Sequence, residues 1–237
     1  MARRDKKLIA IVLYPGVTAV DVVGTMEALI WLHANSPYRP VTVAERLDPI
    51  ETDAGLRLVP NKTFGEVPAP FGLVVPGGGA ATVAAGQNEA LRRYVQTAGA
   101  IADLVASSGT GSLVLAETGL LAGRQATTHW AHARQLEERG VRYVRRRWVE
   151  DGKFVTAAGA TAALVLGLHL VAKLTTVAKA RNAQLIIEYD PQPPFGGIEW
   201  DAVDRNSVER GSAADRGMDG AGRRDDVSAK TITVERV

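Results

Sequence analysis

Three short segments carry the side chains whose types and spacing could do chemistry. Asp21 lies in "GVTAVDVVGTMEAL", shortly after an apolar run, and three glycines, 77–79, follow another apolar run. The third segment, "SGTGS", places Ser108 and Thr110 on either side of Gly109. A strand, a tight turn and a helix in this order is the arrangement on which many α/β enzymes expose a nucleophile. Because the apex is glycine and the chain contains no cysteine, thiol catalysis and zinc–thiolate sites are excluded.

The carboxylate of Asp21 has two interpretations that the residues leave open. With Thr18 it forms T-x-x-D, which fits the acidic member of a capping box at the start of a helix. Alternatively, it stands at the mouth of a ligand site, because open α/β sheets bind ligands at the carboxyl ends of their parallel strands. A positioned carboxyl group there would act as a general acid or base.

The glycine turn and the hydroxyl residues also have structural alternatives. The backbone amides of Gly78 and Gly79 could hold an anion or an oxyanion, since glycine lets a ligand approach closely, but a plain turn fits equally well. The turn is not a dinucleotide fingerprint, whose third glycine would fall on Thr82, and it is not a P-loop. For Ser108 and Thr110 the favoured role is capping of the helix that follows.

The histidines are weaker candidates for a functional role. His129, in "TTHW", follows a predicted strand end, where a lone histidine is more often a structural hydrogen-bonding partner than a catalyst. His169 lies within a strongly apolar predicted helix, so we expect it to be packed. No spacing of His, Asp and Glu residues indicates a metal site.

Strand-like and helix-like segments alternate along the chain, which predicts an α/β fold with a mostly parallel sheet covered by helices on both faces. We expect one domain over residues 1–196. From 197 to 237 Gly, Ser, Asp and Arg dominate, so we expect a polar, flexible tail. Strands are predicted at 7–13, 40–47, 55–64, within 71–79 and at 101–106, a hairpin at 142–157, and helices at 20–34, 88–98, 111–121, 132–139, 161–174 and 176–188.

Composition limits the partners. The chain is 46% hydrophobic, enough for a large core, and its 28 basic and 26 acidic residues nearly cancel, giving +2. We therefore expect no nucleic-acid binding and interpret the basic stretch at 142–153 as a solvated strand face. The apolar run at 7–13 is too short to span a membrane. These features predict a cytoplasmic protein without a membrane partner.

Several motifs, in order, resemble the DJ-1/PfpI superfamily. The chain is most similar to the branch that contains isocyanide hydratases and the amidotransferase-like domains of AraC-type regulators, and the resemblance spans about 7–195. The motifs are "LYPGVTAVDVVGTMEAL", "LVVPGGG", "GTGSLVLAETGLLAGRQATTHWA", "LGLHLVAKL" and "EYDPQPPF". The resemblance implies a flavodoxin-like three-layer sandwich and a homodimer.

The same resemblance implies a cysteine nucleophile at the strand-to-helix elbow, and this chain departs from it there. Gly109 occupies the nucleophile's place, whereas the companion acid, similar to Asp21, and the glycine turn at 77–79 are retained. Two further departures are Val165, where relatives tend to have an acid, and Thr25, where proline is common. The usual thiol route of isocyanide hydration should therefore be absent.

Two functions remain. The first is a cofactor-free, non-covalent acid/base enzyme of hydratase, dehydratase, lyase or cyclase type that acts on a small organic molecule. The second is a catalytically inactive relative that binds a small molecule or regulates as a dimer. For the enzyme, the expected catalytic residues are Asp21 and Thr110, and the expected substrate-binding residues are Gly78, Gly79, Gly109 and His129.

Overall fold

A computed structural model describes residues 6–33, 36–198 and 200. The described residues up to Gly197 form one compact unit. The predicted tail lies almost entirely outside the described residues. The strands are β1 (Lys7–Val12), β2 (Tyr38–Ala44), β3 (Ile50–Glu51), β4 (Arg57–Leu58), β5 (Lys62–Thr63), β6 (Gly72–Val75), β7 (Leu104–Ser107), β8 (Gln125–Ala126), β9 (Arg142–Tyr143), β10 (Trp148–Asp151) and β11 (Phe154–Ala157). The α-helices are α1 (Ala19–Leu29), α2 (Ala81–Gln87), α3 (Glu89–Ile101), α4 (Gly111–Glu117), α5 (Ala133–Glu137), α6 (Ala162–Leu174) and α7 (Val177–Ile186).

The central sheet has seven strands in the order β10-β11-β7-β6-β1-β2-β5. Neighbouring strands pair in parallel except β10 and β11, which form the predicted hairpin at one edge. In register, Ile9 of β1 lies opposite Gly72 of β6, and Val75 of β6 lies opposite Ser107 of β7. The predicted α/β fold with a mostly parallel, flavodoxin-like sheet is confirmed.

Burial explains why the central strands read as continuous apolar runs rather than alternating ones. Every residue of β6 and β7 is buried, and Ile9, Ile11 and Leu73 have no exposed surface. A parallel sheet whose two faces are both covered by helices requires this pattern. The order of the strands also brings the carboxyl ends of β7, β6 and β1 side by side at one edge of the sheet.

Close packing of α1 on α6 fixes the helix that carries Asp21. A Cβ atom on Gly167 would lie 2.6 Å from the Cβ of Ala28 and 2.9 Å from the carbonyl oxygen of Thr25. The two helices therefore approach to a distance that only glycine permits. The predicted apolar helix at 161–174 is confirmed as α6.

Several boundaries and one helix differ from the predictions. The predicted strand at 55–64 is instead two short strands, β4 and β5, and α1 ends at Leu29 rather than at 34. Helix α3 continues to Ile101, so β7 begins at Leu104 rather than at 101, and α4 ends at Glu117, just before Gly119 adopts a left-handed conformation with φ +79°. Helix α2 was not predicted. Its N-cap, Ala80, makes no side-chain hydrogen bond, so the usual signal for a helix start is missing there. No helix of the described residues is long and apolar enough to cross a membrane.

Candidate active site

The predicted site segments meet at the carboxyl ends of three adjacent strands. Asp21 lies in the first turn of α1, which follows β1. The glycine turn, residues 77–79, follows β6, and the second turn, residues 108–110, follows β7. Because β1, β6 and β7 are neighbours in the sheet, the three segments converge.

The carboxyl group of Asp21 is buried and bonded to both turns. Its Oδ2 atom accepts a hydrogen bond from the Gly77 amide at 2.8 Å and another from the Ser108 hydroxyl at 2.9 Å. Only 1% of the residue is exposed. The Oδ1 atom is also buried, and it has no hydrogen-bond partner among the described residues.

Helix capping does not explain Asp21. Thr18 does occupy the N-cap position of α1, but its side chain makes no capping hydrogen bond. Instead, the Oδ1 atom of Asp53, on the loop after β3, accepts a hydrogen bond from the Ala19 amide at 2.9 Å. The capping-box interpretation is therefore wrong, because a carboxylate from another segment caps the helix and leaves Asp21 to face the turns.

Burial raises the pKa of Asp21 to about 6. The hydrogen bonds from Gly77 and Ser108 favour the charged form and partly oppose this rise, whereas the negative charge of Asp53 adds to it. The Asp21 carboxyl can therefore exchange a proton near neutral pH, as a general acid or base must.

Gly109 occupies the apex of the second turn in a left-handed conformation, with φ +52°. Its amide donates to the carbonyl oxygen of Ala158 at 2.7 Å, and its carbonyl accepts from the Thr128 hydroxyl at 3.1 Å. A Cβ atom at this position would lie 2.9 Å from Oδ2 of Asp21, closer than real Cβ atoms approach their neighbours. Asp21 thus occupies space that any side chain at 109 would contest.

Neither hydroxyl of the second turn caps α4, so the favoured interpretation of both residues is wrong. Ser108 donates its hydroxyl to Asp21, and Thr110 occupies the N-cap position without a capping hydrogen bond. The Oγ1 atom of Thr110 instead accepts from the amides of Gly78 and Gly79, each at 3.1 Å. Thr110 therefore joins the two turns.

Two further residues belong to this cluster and were not predicted. The Thr82 hydroxyl lies 2.6 Å from that of Thr110 and 3.4 Å from the hydroxyl of Tyr14. Tyr14 donates to the carbonyl oxygen of Pro76 at 2.8 Å. Burial raises the pKa of Tyr14, so the phenol stays protonated. A tyrosine after an apolar run and a threonine in an unpredicted helix gave no signal that they meet.

His129 borders the cluster without joining it. Its Nδ1 atom accepts a 3.4 Å hydrogen bond from the Ala131 amide at the start of a 3-10 turn, and burial lowers its pKa. Its ring lies beside Gly159, and the preceding residue, Ala158, accepts the hydrogen bond from the Gly109 amide.

His169, expected to be packed, stacks on Trp148 at the surface and lies 2.9 Å from a carboxylate oxygen of Glu150. No group of three or more His, Asp and Glu residues within the described ranges could hold a metal ion.

Comparisons with known proteins agree with this architecture. Residues 7–173 match the DJ-1/PfpI family. The isonitrile hydratase of Pseudomonas putida is 37% identical over 188 residues, which cover 79% of this chain and 80% of that protein. A THiJ/PfpI family protein from Pseudomonas syringae superposes with a TM-score of 0.82 at 36% identity, covering 88% of this chain and 87% of the other. An AraC family transcriptional regulator from Pseudomonas putida shares the fold, with a TM-score of 0.64 at 20% identity over 76% of this chain and 99% of that one. This chain therefore belongs to the DJ-1/PfpI family.

Proposed function

We propose that this protein is a cofactor-free acid/base enzyme of hydratase type that acts on a small organic molecule without a covalent intermediate. The observation that carries the proposal is the Asp21 carboxyl, which is buried between the glycine turn and the second turn and has a pKa of about 6. Related dehydratase, lyase and cyclase steps need the same proton exchange. The name of the Pseudomonas putida relative makes isonitriles the first substrate class to test.

The hydrogen bonds of Asp21 identify which oxygen carries the acidic proton. Oδ2 already accepts two hydrogen bonds, from Gly77 and Ser108, whereas Oδ1 has no partner among the described residues. A proton on Oδ1 leaves both accepted bonds in place, so the neutral acid is protonated there. Oδ1 is therefore the atom from which a proton passes to substrate.

Hydration of an isonitrile illustrates the chemistry. Asp21 transfers its Oδ1 proton to the terminal carbon of the isonitrile, which gives a nitrilium cation and the Asp21 carboxylate. Water adds to the same carbon and loses a proton to the carboxylate, which restores the acid. The resulting imidic acid tautomerises to an N-substituted formamide, so the net change is addition of one water molecule.

The turn after β7 favours this route over covalent catalysis. Gly109 has no nucleophilic atom, and the hydroxyl of Ser108 is fully buried and donates a hydrogen bond to Asp21. In the proposal, Gly109 leaves room for the acid, and Thr110 holds the glycine turn through Gly78 and Gly79. In the same proposal, His129 contacts the bound substrate.

Conversion of an alkyl isonitrile to its formamide tests the proposal. The product is followed by mass spectrometry with the wild type and with Asp21→Asn, which keeps the shape and the acceptor oxygen but has no acidic proton. We expect formamide from the wild type and a loss of about 10²–10⁴-fold in the variant, the range for one positioned acid. Equal turnover by both proteins would rule out Asp21 as the acid.

A second candidate function is that of an inactive, ligand-binding dimer. The 1% exposure of Asp21 favours it, because a carboxyl enclosed this fully needs an opening before substrate reaches it. The homodimer itself is a proposal that the surface of α1 supports, since Val20 and Val23 lie on one exposed stripe. Tight binding of a small molecule that the protein leaves chemically unchanged would favour this candidate.

A further inference from the structure

We infer that the hydroxyl of Thr110 closes the glycine turn to oxyanions, so that the site takes substrates that gain positive rather than negative charge as they react. The inference rests on the proposed function, because it takes Asp21 as the acid. It names the substrate class: neutral molecules that are protonated to a cation, such as isonitriles, rather than esters or amides, whose acyl transfer passes through an oxyanion.

The amides of the turn are already bonded within the protein. Gly78 and Gly79 both donate to Oγ1 of Thr110 at 3.1 Å, and Gly77 donates to Asp21 at 2.8 Å. Stabilisation of an oxyanion requires such donors to be aimed at the oxygen where charge develops. Here the three successive amides point at two side-chain oxygens instead.

The directions of the hydroxyl hydrogen bonds show that this arrangement is closed. A hydroxyl donates once and accepts through two lone pairs. Thr110 accepts from two amides, so it donates its own proton to Thr82, 2.6 Å away. Because Tyr14 donates to Pro76, Thr82 is the donor in the 3.4 Å contact with Tyr14.

The chain of hydrogen bonds therefore begins and ends on the same segment. It runs from the Gly78 amide through Thr110, Thr82 and Tyr14 to the carbonyl oxygen of Pro76. Every proton of the three hydroxyl groups is used inside this ring. Thr110 is thus a positioning residue, with no hydroxyl proton left for a substrate.

One backbone donor remains near the acid. The amide of Thr110 makes no hydrogen bond to another residue in the described part of the chain. A single donor is weaker than the two or three that oxyanion sites combine, and removing one such donor from an enzyme costs roughly 10²–10³-fold in rate. This residual donor does not make the site suitable for acyl transfer.

The charged groups around Asp21 also favour a cation over an oxyanion. Asp53 is the charged side chain that influences Asp21 among the described residues, and it is another carboxylate. The negative charges of Asp21 and Asp53 both raise the pKa of the neighbouring Tyr14, which is therefore neutral. Once Asp21 has given up its proton, this negative surrounding stabilises a cation beside it and destabilises an oxyanion.

The test is a titration of ¹⁵N-labelled protein with sodium acetate, a simple oxyanion, followed at the amide resonances of Gly78 and Gly79. Thr110→Val removes the hydroxyl and keeps the branched shape, and Thr110→Ser keeps the hydroxyl. We expect no saturable shift in the wild type or Thr110→Ser, and a saturable shift in Thr110→Val.

A saturable shift in the wild type would overturn the inference, and so would the absence of a shift in folded Thr110→Val. If that variant does not fold, the wild-type titration still decides, together with hydrolysis of p-nitrophenyl acetate. Ester hydrolysis that Asp21→Asn abolishes would also contradict the inference. Absence of isonitrile turnover with unresponsive amides would reject the proposed function alone, whereas turnover with responsive amides would reject the inference alone.

Discussion

The Oδ2 atom of Asp21 lies 2.9 Å from the point where a Cβ atom of residue 109 would stand, and the glycine there leaves this space to the carboxyl group. The same oxygen accepts hydrogen bonds from the amide of Gly77 and from the hydroxyl of Ser108. The position and the proton affinity of Asp21 therefore depend on residues from both turns.

Gly109→Ala should destabilise the protein and disturb Asp21. The new Cβ meets Oδ2 at 2.9 Å, and the left-handed backbone at φ +52° disfavours an L side chain, at about 1–3 kcal/mol. Gly119→Ala is the matched control, because Gly119 has φ +79° and no atom within 4 Å of a Cβ. Urea unfolding should show a larger loss for Gly109→Ala, and equal losses would mean that contact with Asp21 has no energetic effect.

Ser108→Ala should raise the pKa of Asp21, because the hydroxyl donates to the carboxylate and favours its charged form. The acid form then persists to higher pH, and the fall in activity with rising pH moves to higher pH as well. Ser107→Ala is the control, since the buried hydroxyl of Ser107 has no hydrogen-bond partner among the described residues. A pH–rate profile that moves equally in both variants would contradict the assignment.

The raised pKa of Asp21 also makes stability depend on pH. A carboxyl that binds its proton more tightly when folded stabilises the protein at low pH, and this contribution is lost as pH rises through about 6. The shift corresponds to about 3 kcal/mol. Asp21→Asn cannot ionise, so its free energy of unfolding should fall less than that of the wild type between pH 4 and pH 7.5. Identical falls in urea unfolding would exclude this effect.

Self-association should depend on the exposed stripe of α1. Val23 is 50% exposed, so Val23→Asp should shift a homodimer toward monomer in sedimentation equilibrium. Val59→Asp introduces the same charge at a valine that is 63% exposed but lies elsewhere, and it should leave the dimer intact. A monomeric wild type, or equal dissociation by both variants, would reject the proposed interface.

Much of the fold could be predicted because its signals are local. Fully apolar strands such as Gly72–Val75 and the long helix Ala162–Leu174 are predicted by their hydrophobic pattern. The same pattern placed Asp21 and the glycine turns at the carboxyl ends of strands. Helix α2 was missed because no capping residue marks its start at Ala80.

The details of the site could not be predicted because they depend on distant partners. The T-x-x-D pattern suggested a capping box, but the cap comes from Asp53, 34 residues from Ala19 along the chain. Tyr14 contacts Thr82, 68 residues away along the chain, and Thr82 contacts Thr110, 28 residues away, so no local sequence pattern predicts either contact. Ser108 and Thr110, which the sequence pattern assigned to helix capping, instead bind a carboxylate and two backbone amides, respectively.

The most direct test of the central claim is a ¹³C NMR titration of the Asp21 carboxyl carbon in the folded protein, assigned by comparison with Asp21→Asn. The structure predicts a titration midpoint near pH 6, so that acid and carboxylate are both populated close to neutral pH. A midpoint near 4, the ordinary range for an aspartate, would mean that Asp21 is fully ionised at neutral pH. It would then have no proton to give, and the proposed acid chemistry would be wrong.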